Sequence, residues 1–270
     1  MGNHWITAAS KAAGILLLLF CAQACGSPPA QQKQPASLTV SAAISLKGAL
    51  DELARGYEQA HPGIQITLNY GGSGTLEHQI EQGAPVDVFF SAAKKQIDTL
   101  ESEGLIVAGT RRDVVANDLV LIVPVSATFV KEFRDLRRTQ VKVLALGEPA
   151  TVPAGMYAQQ TLAYLGLSAA VEKKTIFAKD VRQVLTYVET GNADAGIVYQ
   201  TDAAVSSKVR IVGTAAADSH EPIVYPAAVV KGTGDIPRAR AFLDFLGGAE
   251  ARSVFEKHGF KSPEKQAGNN

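Results

Sequence analysis

The sequence predicts an α/β protein of mostly parallel sheets flanked by helices, and three observations carry that reading. Short apolar strands alternate with amphipathic helices from Leu38 to Glu103, an order that gives parallel strands joined by right-handed crossovers. The run Val86-Asp87-Val88-Phe89-Phe90 is apolar enough for a strand covered on both faces. Finally, strand ends are followed at once by Ser- or Gly-containing helix starts, at Ser45 and at Gly71-Gly72-Ser73-Gly74-Thr75. Sheets of this kind bind ligands at such ends.

Residues 1–24 read as a secretion signal. His4 and Lys11 give a weakly basic start, Gly14 to Phe20 is apolar, and Ala22-Gln23-Ala24 fits a small-x-small cleavage site. The apolar run is too short for a transmembrane helix. Cleavage after Ala24 would leave Cys25 at the new terminus, which resembles the lipobox of bacterial lipoproteins, although Ala22 stands where Leu is usual. Export without a lipid is the alternative. Residues 25–37 form a Pro/Gln-rich linker without an apolar face, expected to be a disordered tether. Cys21 and Cys25 are the only two cysteines, so the body holds no disulfide.

In the body, Leu38 to Ala43 reads as a strand. Ser45 is the expected N-cap of a helix whose apolar face is Leu46, Leu50, Leu53, Ala54 and Tyr57, ended by His61-Pro62-Gly63. Ile64 to Tyr70 is a strand, and Thr75 to Gln82 a short helix. The Gly/Ser loop between them exposes backbone N–H groups at a helix start, a place that suits an anion. It also suits a plain tight turn. A helix from about Ala93 to Glu103 follows the Val86–Phe90 strand.

Leu119 to Val123 and Val141 to Leu146 read as strands. Pro153 fits the first turn of a helix stopped by Gly166. Asp180 caps a helix from Val181 to about Glu189, and Ala195 to Tyr199 is a strand with Tyr199 at its end. Val209 to Val212 and Ile223 to Val230 are strands, Arg238 to Leu246 and Ala249 to Lys257 helices, and the last ten residues a loose polar end. A second α/β unit and a return segment make a two-lobe arrangement natural, although periodicity alone does not establish it. The expected lobes are 38–118 plus 227–270 and 119–226, hinged near Asp118 and Tyr225. The sequence shows no internal repeat.

Composition narrows the function. Lys+Arg and Asp+Glu both number 26, so the net charge is zero, and no basic field for nucleic acid exists. The five His are scattered, without metal-ligand spacing. Gly71-Gly72-Ser73-Gly74-Thr75 is a near miss to a nucleophile elbow, because Thr75 stands where the final Gly belongs. An exported serine hydrolase using Ser73 is therefore the alternative from the enzyme class, with His220 or His258 as nominal base. A regulator's sensing half is disfavoured by the export signal and the lack of a helix-turn-helix.

Several blocks resemble one family. Ser41-Ala42-Ala43-Ile44-Ser45-Leu46, Gly72-Ser73-Gly74-Thr75-Leu76 and Gly83-Ala84-Pro85-Val86-Asp87 are similar to the first half of the periplasmic molybdate-binding proteins of ABC transporters. Gly147-Glu148-Pro149, Val152-Pro153-Ala154-Gly155-Met156-Tyr157-Ala158, Asp180-Val181-Arg182, Gly196-Ile197-Val198-Tyr199 and Tyr225-Pro226 match the second half in order and spacing. The resemblance implies a type II periplasmic-binding-protein fold and no catalysis. It implies an oxyanion site made by Ser45 and Ser73, the backbone at Ala154 and Val181, and the Tyr199 hydroxyl. Molybdenum would be held as molybdate, without a direct protein–metal bond. The implied ligand is molybdate or tungstate, with no cofactor, and the implied partner is a membrane permease. A monomer, exported and anchored through Cys25, is expected. A receptor for another tetrahedral oxyanion such as sulfate is the near alternative. The sequence departs from the family's pattern at Ile44, at Lys47-Gly48 and at Ala93, where the family has Asp.

Overall fold

A computed structural model describes residues 36–263. The expected signal segment, Cys25, the linker up to residue 35 and the last seven residues lie outside the described residues. The chain runs β1 (Ala36–Ala43), α1 (Lys47–Ala60), β2 (Ile64–Gly71), α2 (Ser73–Glu81), β3 (Val88–Phe90), α3 (Lys94–Ser102), β4 (Arg112–Ala116) and β5 (Leu119–Pro124). It continues β6 (Leu144–Gly147), α4 (Pro153–Tyr164), α5 (Ser168–Val171), β7 (Thr175–Ala178), α6 (Val181–Glu189), β8 (Ala195–Tyr199), α7 (Gln200–Ala204) and β9 (Val209–Thr214). It ends with β10 (Val224–Val229), α8 (Ile236–Leu246) and α9 (Ala249–Lys257).

Two five-stranded sheets result, with orders β2-β1-β3-β10-β4 and β7-β6-β8-β5-β9. In the first, β1 pairs in parallel with β2 and β3, and only β10 runs against its neighbours. In the second, β6 pairs in parallel with β7 and β8, and only β5 is reversed. The two halves thus share one topology although the sequence carries no repeat. The reversed strand of each sheet is the one formed as the chain crosses from the other half.

The crossings lie at residues 117–118 and between Thr214 and Val224. All of β10, including Tyr225 and Pro226, pairs in the first sheet, so the return crossing falls upstream of the expected division at 226/227. β1 also starts two residues before the expected Leu38. Ala36 and Ser37 extend the parallel ladder opposite Ile64 and Gln65, so main-chain pairing orders two residues that bring no apolar face.

Strand alternation sends neighbouring residues to opposite faces of a sheet. Phe90 joins the core under α1, α8 and α9 and meets Phe255 edge-on at 6.1 Å, whereas Phe89 belongs to a separate cluster with Leu76, Ile80, Ile97 and Leu100 under α2 and α3. Asp87, in the Gly-Ala-Pro-x-Asp block, precedes β3 rather than lying in it. Its carboxylate accepts from the Thr39 N–H at 2.7 Å and from the Thr233 hydroxyl, pinning the strand start. At the far end of this half, Asp235 caps α8 by accepting from the Arg238 N–H at 3.0 Å. Asp235→Ala should cost about 1 kcal/mol and lower the thermal midpoint by about 2–4 °C, measurable by calorimetric scanning.

Candidate functional site

Four helix starts and one strand end meet between the halves. A small cavity there, about 10 Å³, is lined by Ala43 and Ser45, by Gly72 and Ser73, by Ala92, by Val152 and Ala154, by Val181, and by Tyr199. Its volume is the room that one water's centre needs, so the halves are closed on each other. All five sequence-predicted binding residues, Ser45, Ser73, Ala154, Val181 and Tyr199, line it, and each is buried.

Each is placed by a local rule. Pro153 sits at the first position of α4, where its missing N–H costs nothing, and that puts the Ala154 N–H in the first turn. Gly155 lets this helix start press on the end of β6, because a Cβ there would lie 2.0 Å from the Gly147 carbonyl oxygen. The Asp180 side chain caps α6 through the Gln183 N–H at 2.8 Å, leaving the Val181 N–H without an acceptor. First-turn N–H groups have no intrahelical partner, and no loop carbonyl takes those of Ser73, Ala154 or Val181.

Ser45 is not the N-cap the sequence suggested. A 3-10 turn, Ile44–Leu46, starts the helical path one residue earlier, with Ala43 as its flanking residue. Ser45 therefore lies inside the turn, and its Oγ sits 3.2 Å from the Tyr225 hydroxyl. Ser73 Oγ accepts from the Ala92 N–H at 3.0 Å. A backbone N–H can only donate, so the Ser73 proton is left for a ligand.

Tyr199 is fully buried and its hydroxyl has no hydrogen-bond partner. Burial raises the phenol's pKa, and the nearby Tyr225 and Tyr157 phenols and the Asp202 carboxyl add to the shift, so the group stays a donor throughout the physiological range.

Gly74, in the loop expected to expose backbone N–H groups to an anion, uses its own elsewhere. Its N–H donates to the Thr151 carbonyl of the other half at 2.8 Å. A Cβ on Gly74 would lie 2.7 Å from Thr151 Cα, and one on Gly72 would lie 3.0 Å from the Lys179 carbonyl oxygen. Both glycines let the halves touch main chain to main chain.

An ion pair between a partly exposed arginine and a fully buried carboxylate braces the second half of the site. Arg182, next to Val181, places Nε 2.7 Å from Oδ1 of Asp202, three residues after Tyr199, and Asp202 has no exposure. Burial pushes the Asp202 carboxyl up to about 6, against the opposing pull of Arg182. Between the ordinary value of 3.8 and about 6 the folded chain keeps a proton that the unfolded chain gives up. Stability from this group is therefore present below pH 4 and lost as pH rises through 6, by about 3 kcal/mol. Denaturant unfolding of wild type and Asp202→Asn at pH 4.5 and 7.5 should show wild type losing ground to the variant at the higher pH.

The hydrolase reading finds no base at Ser73. His78 bonds Glu81, His220 the Glu221 carbonyl and His258 Glu52, and no His lines the cavity. Among the described residues, no group of three His, Cys, Asp or Glu could hold a metal ion, and no helix is long and apolar enough to cross a membrane. Ala93, the departure from the family's Asp, is the residue before α3 and makes no side-chain cap. Sequence reasoning gave no role to Thr151, Ala92 or Asn117. Tyr225 carried a signal only as part of a Tyr-Pro pair and as a marker of the expected hinge, not as a site residue.

A profile of the bacterial extracellular solute-binding proteins matches residues 38–261. The chain is 46% identical to a putative ABC transporter substrate-binding lipoprotein of Bacillus subtilis, YvgL, over 91% of this chain and 93% of that one. It is 39% identical to the molybdate-binding protein ModA of Haemophilus influenzae, over 84% of this chain and 91% of that one. Among solved structures it is similar to the substrate-binding domain of a putative molybdenum ABC transporter from Clostridium difficile, at 41% identity and a TM-score of 0.67, covering 85% of this chain and all of that one.

Proposed function

The chain belongs to the bacterial extracellular solute-binding protein family, and from that membership and the donor set we propose that it is the substrate-binding component of an ABC importer, capturing molybdate or tungstate between its two halves. The observation that carries the reading is Tyr199, whose hydroxyl is buried and unpartnered and which lines a cavity where helix starts of both halves also meet. An unmade hydrogen bond on a buried group costs about 1–3 kcal/mol, a cost that a ligand accepting from it would remove.

The lining carries no Lys or Arg, so a dianion is held by neutral donors. The hydroxyls of Ser45, Ser73 and Tyr199 and the N–H groups of Ala154 and Val181 each contribute about 1.5–3 kcal/mol to a charged acceptor, much of it offset by stripping the anion of water. A net affinity of about −8 to −12 kcal/mol, micromolar to nanomolar, is expected. The donors come from both halves, so the anion binds the closed arrangement better than an open one and shifts the population toward it. The closed shape is what a membrane permease would recognise. The lobes, one built on β1 to β4 plus the C-terminal return from Val224 and the other on β5 to β9, would hinge at the two crossings. The protein performs no catalysis, needs no cofactor and acts as a monomer outside the cytoplasm, held to a membrane through a lipid on Cys25.

Calorimetric titration with molybdate, tungstate, sulfate and phosphate tests this reading. Fluorescence would serve poorly because the only Trp is Trp5. Submicromolar molybdate binding with far weaker sulfate supports it. Tighter sulfate binding moves the assignment to another oxyanion, and silence with all four overturns it. Cys25→Ser should release the protein from membranes, and retention would refute the anchor.

A further inference from the structure

Ser45 is joined to the first crossing between the halves by an unbroken run of buried polar groups. Asn117 lies at that crossing. Its Oδ1 accepts from the Asp118 N–H at 3.0 Å, and its Nδ2 donates to Thr201 Oγ1 at 2.8 Å and to the Tyr225 hydroxyl oxygen at 3.3 Å. The Tyr225 oxygen stands 3.2 Å from Ser45 Oγ. Asn117, Thr201, Tyr225 and Ser45 are all buried, so water does not substitute for any link.

The direction of each bond follows from the first. A backbone N–H can only donate, so the Asp118 N–H fixes which end of the Asn117 amide is oxygen. That places the NH₂ group, which also can only donate, against Tyr225. The Tyr225 oxygen is then an acceptor for Asn117, and the acceptor at hydrogen-bond distance from its own proton is Ser45 Oγ, the neighbouring Tyr199 hydroxyl making no hydrogen bond of normal geometry. If Ser45 donated to Tyr225 instead, the Tyr225 proton would be buried without a partner. Ser45 therefore accepts from Tyr225, and its proton faces the cavity. Ser73 reaches the same state more simply, through the Ala92 N–H.

We propose that Tyr225 and Asn117 are positioning residues for the anion site, a one-way run of hydrogen bonds from the Asp118 N–H that turns the Ser45 hydroxyl proton toward the bound anion. Neither touches the ligand; both act through Ser45. The inference rests on the anion-receptor reading above. It also accounts for the Tyr225-Pro226 pair that the binding set left unused. Thr201 lies just after Tyr199, so the same amide ties the Ser45 donor of one half to the strand end that carries the phenol donor of the other.

The test is a double-mutant cycle read by molybdate calorimetry on wild type, Tyr225→Phe, Ser45→Ala and the double variant, with thermal unfolding of each to show that it is folded. Tyr225→Phe should weaken binding about tenfold, one charge-assisted bond made less well. The double variant should bind within about twofold of Ser45→Ala alone, because Tyr225 reaches the donors by a hydrogen bond only through Ser45, its ring merely packing tilted beside Tyr199 at 5.6 Å. Asn117→Asp keeps the shape but presents an oxygen to Tyr225. It should take the Tyr225 proton, reverse the run and weaken binding at least as much. Equal losses from Tyr225→Phe in the presence and absence of Ser45, or wild-type affinity in Tyr225→Phe and Asn117→Asp, would overturn the proposal while leaving the receptor reading intact. A folded wild type that binds no molybdate overturns both.

Discussion

Gly74→Ala should leave the protein folded and lower its affinity for molybdate by about a hundredfold or more. In the closed arrangement the added Cβ would meet Thr151 Cα at 2.7 Å and its carbonyl oxygen at 2.9 Å. Both are main-chain atoms, which cannot swing aside. The clash exists only where the halves touch, since Thr151 precedes α4 of the second half and Gly74 lies in the first turn of α2. An open form escapes it, and there alanine is the better helix former by about 1 kcal/mol. Closing would strain the contact and forfeit the bond from the Gly74 N–H to the Thr151 carbonyl. Together these amount to about 3 kcal/mol, or a hundredfold. Thermal unfolding without anion should be unchanged or slightly higher, while the shift produced by molybdate should collapse. Wild-type affinity in this variant would mean that closure does not bring Gly74 against Thr151 when the anion is bound.

Tyr199→Phe should move stability and binding in opposite directions. In the closed arrangement without anion the hydroxyl is buried without a partner, so its removal should stabilise the anion-free chain by up to about 1 kcal/mol, the more so the more that chain closes. The same change removes a donor to the anion and should weaken molybdate binding by about ten- to a hundredfold. Denaturant unfolding without ligand gives the first number and calorimetry the second. A residue that merely filled the core would lose stability on truncation and leave affinity alone, so the pair of signs identifies a group kept for a ligand.

Much of this was legible in the sequence where local rules acted alone. The span Val181–Glu189, with Asp180 as its cap, follows from one capping residue and an apolar stripe, and α6 has those bounds. β8 and α9 were equally plain. β4 and β7 were not seen as strands. Arg112-Asp113-Val114-Val115-Ala116 starts with two charges, and Thr175-Ile176-Phe177-Ala178 is an edge strand whose Phe177 is exposed, so neither shows the buried run or clean alternation that marks a strand. α7 has only five residues, too few for a periodic signal. In the site, the strand ends and helix starts pointed to the donors, and the resemblance selected five of them. What no local pattern could supply was the partner of each donor. Ser45 meets Tyr225 180 residues away, and Gly74 meets Thr151 in the other half. The first contact exists only once β10 has joined the first sheet and the second only once the halves have closed, whereas the Ser45 cap was misread for a local reason, the 3-10 turn that starts at Ile44.

The exchange of strands at the crossings has a consequence for how the chain assembles. The second sheet is encoded without interruption, from Leu119 to Thr214. The first is not: β10 sits between β3 and β4, so residues 36–116 alone leave β4 with no neighbour. As the polypeptide emerges from its N-terminus, the segment made first must wait for residues near 229 before its sheet can knit. The segment made in the middle can complete its own ladder at once. β10 is therefore the last strand of the first half to arrive, followed only by α8 and α9, and a chain truncated before Val224 would carry a finished second half beside an unfinished first one, with β3 and β4 exposing the edges that β10 normally covers.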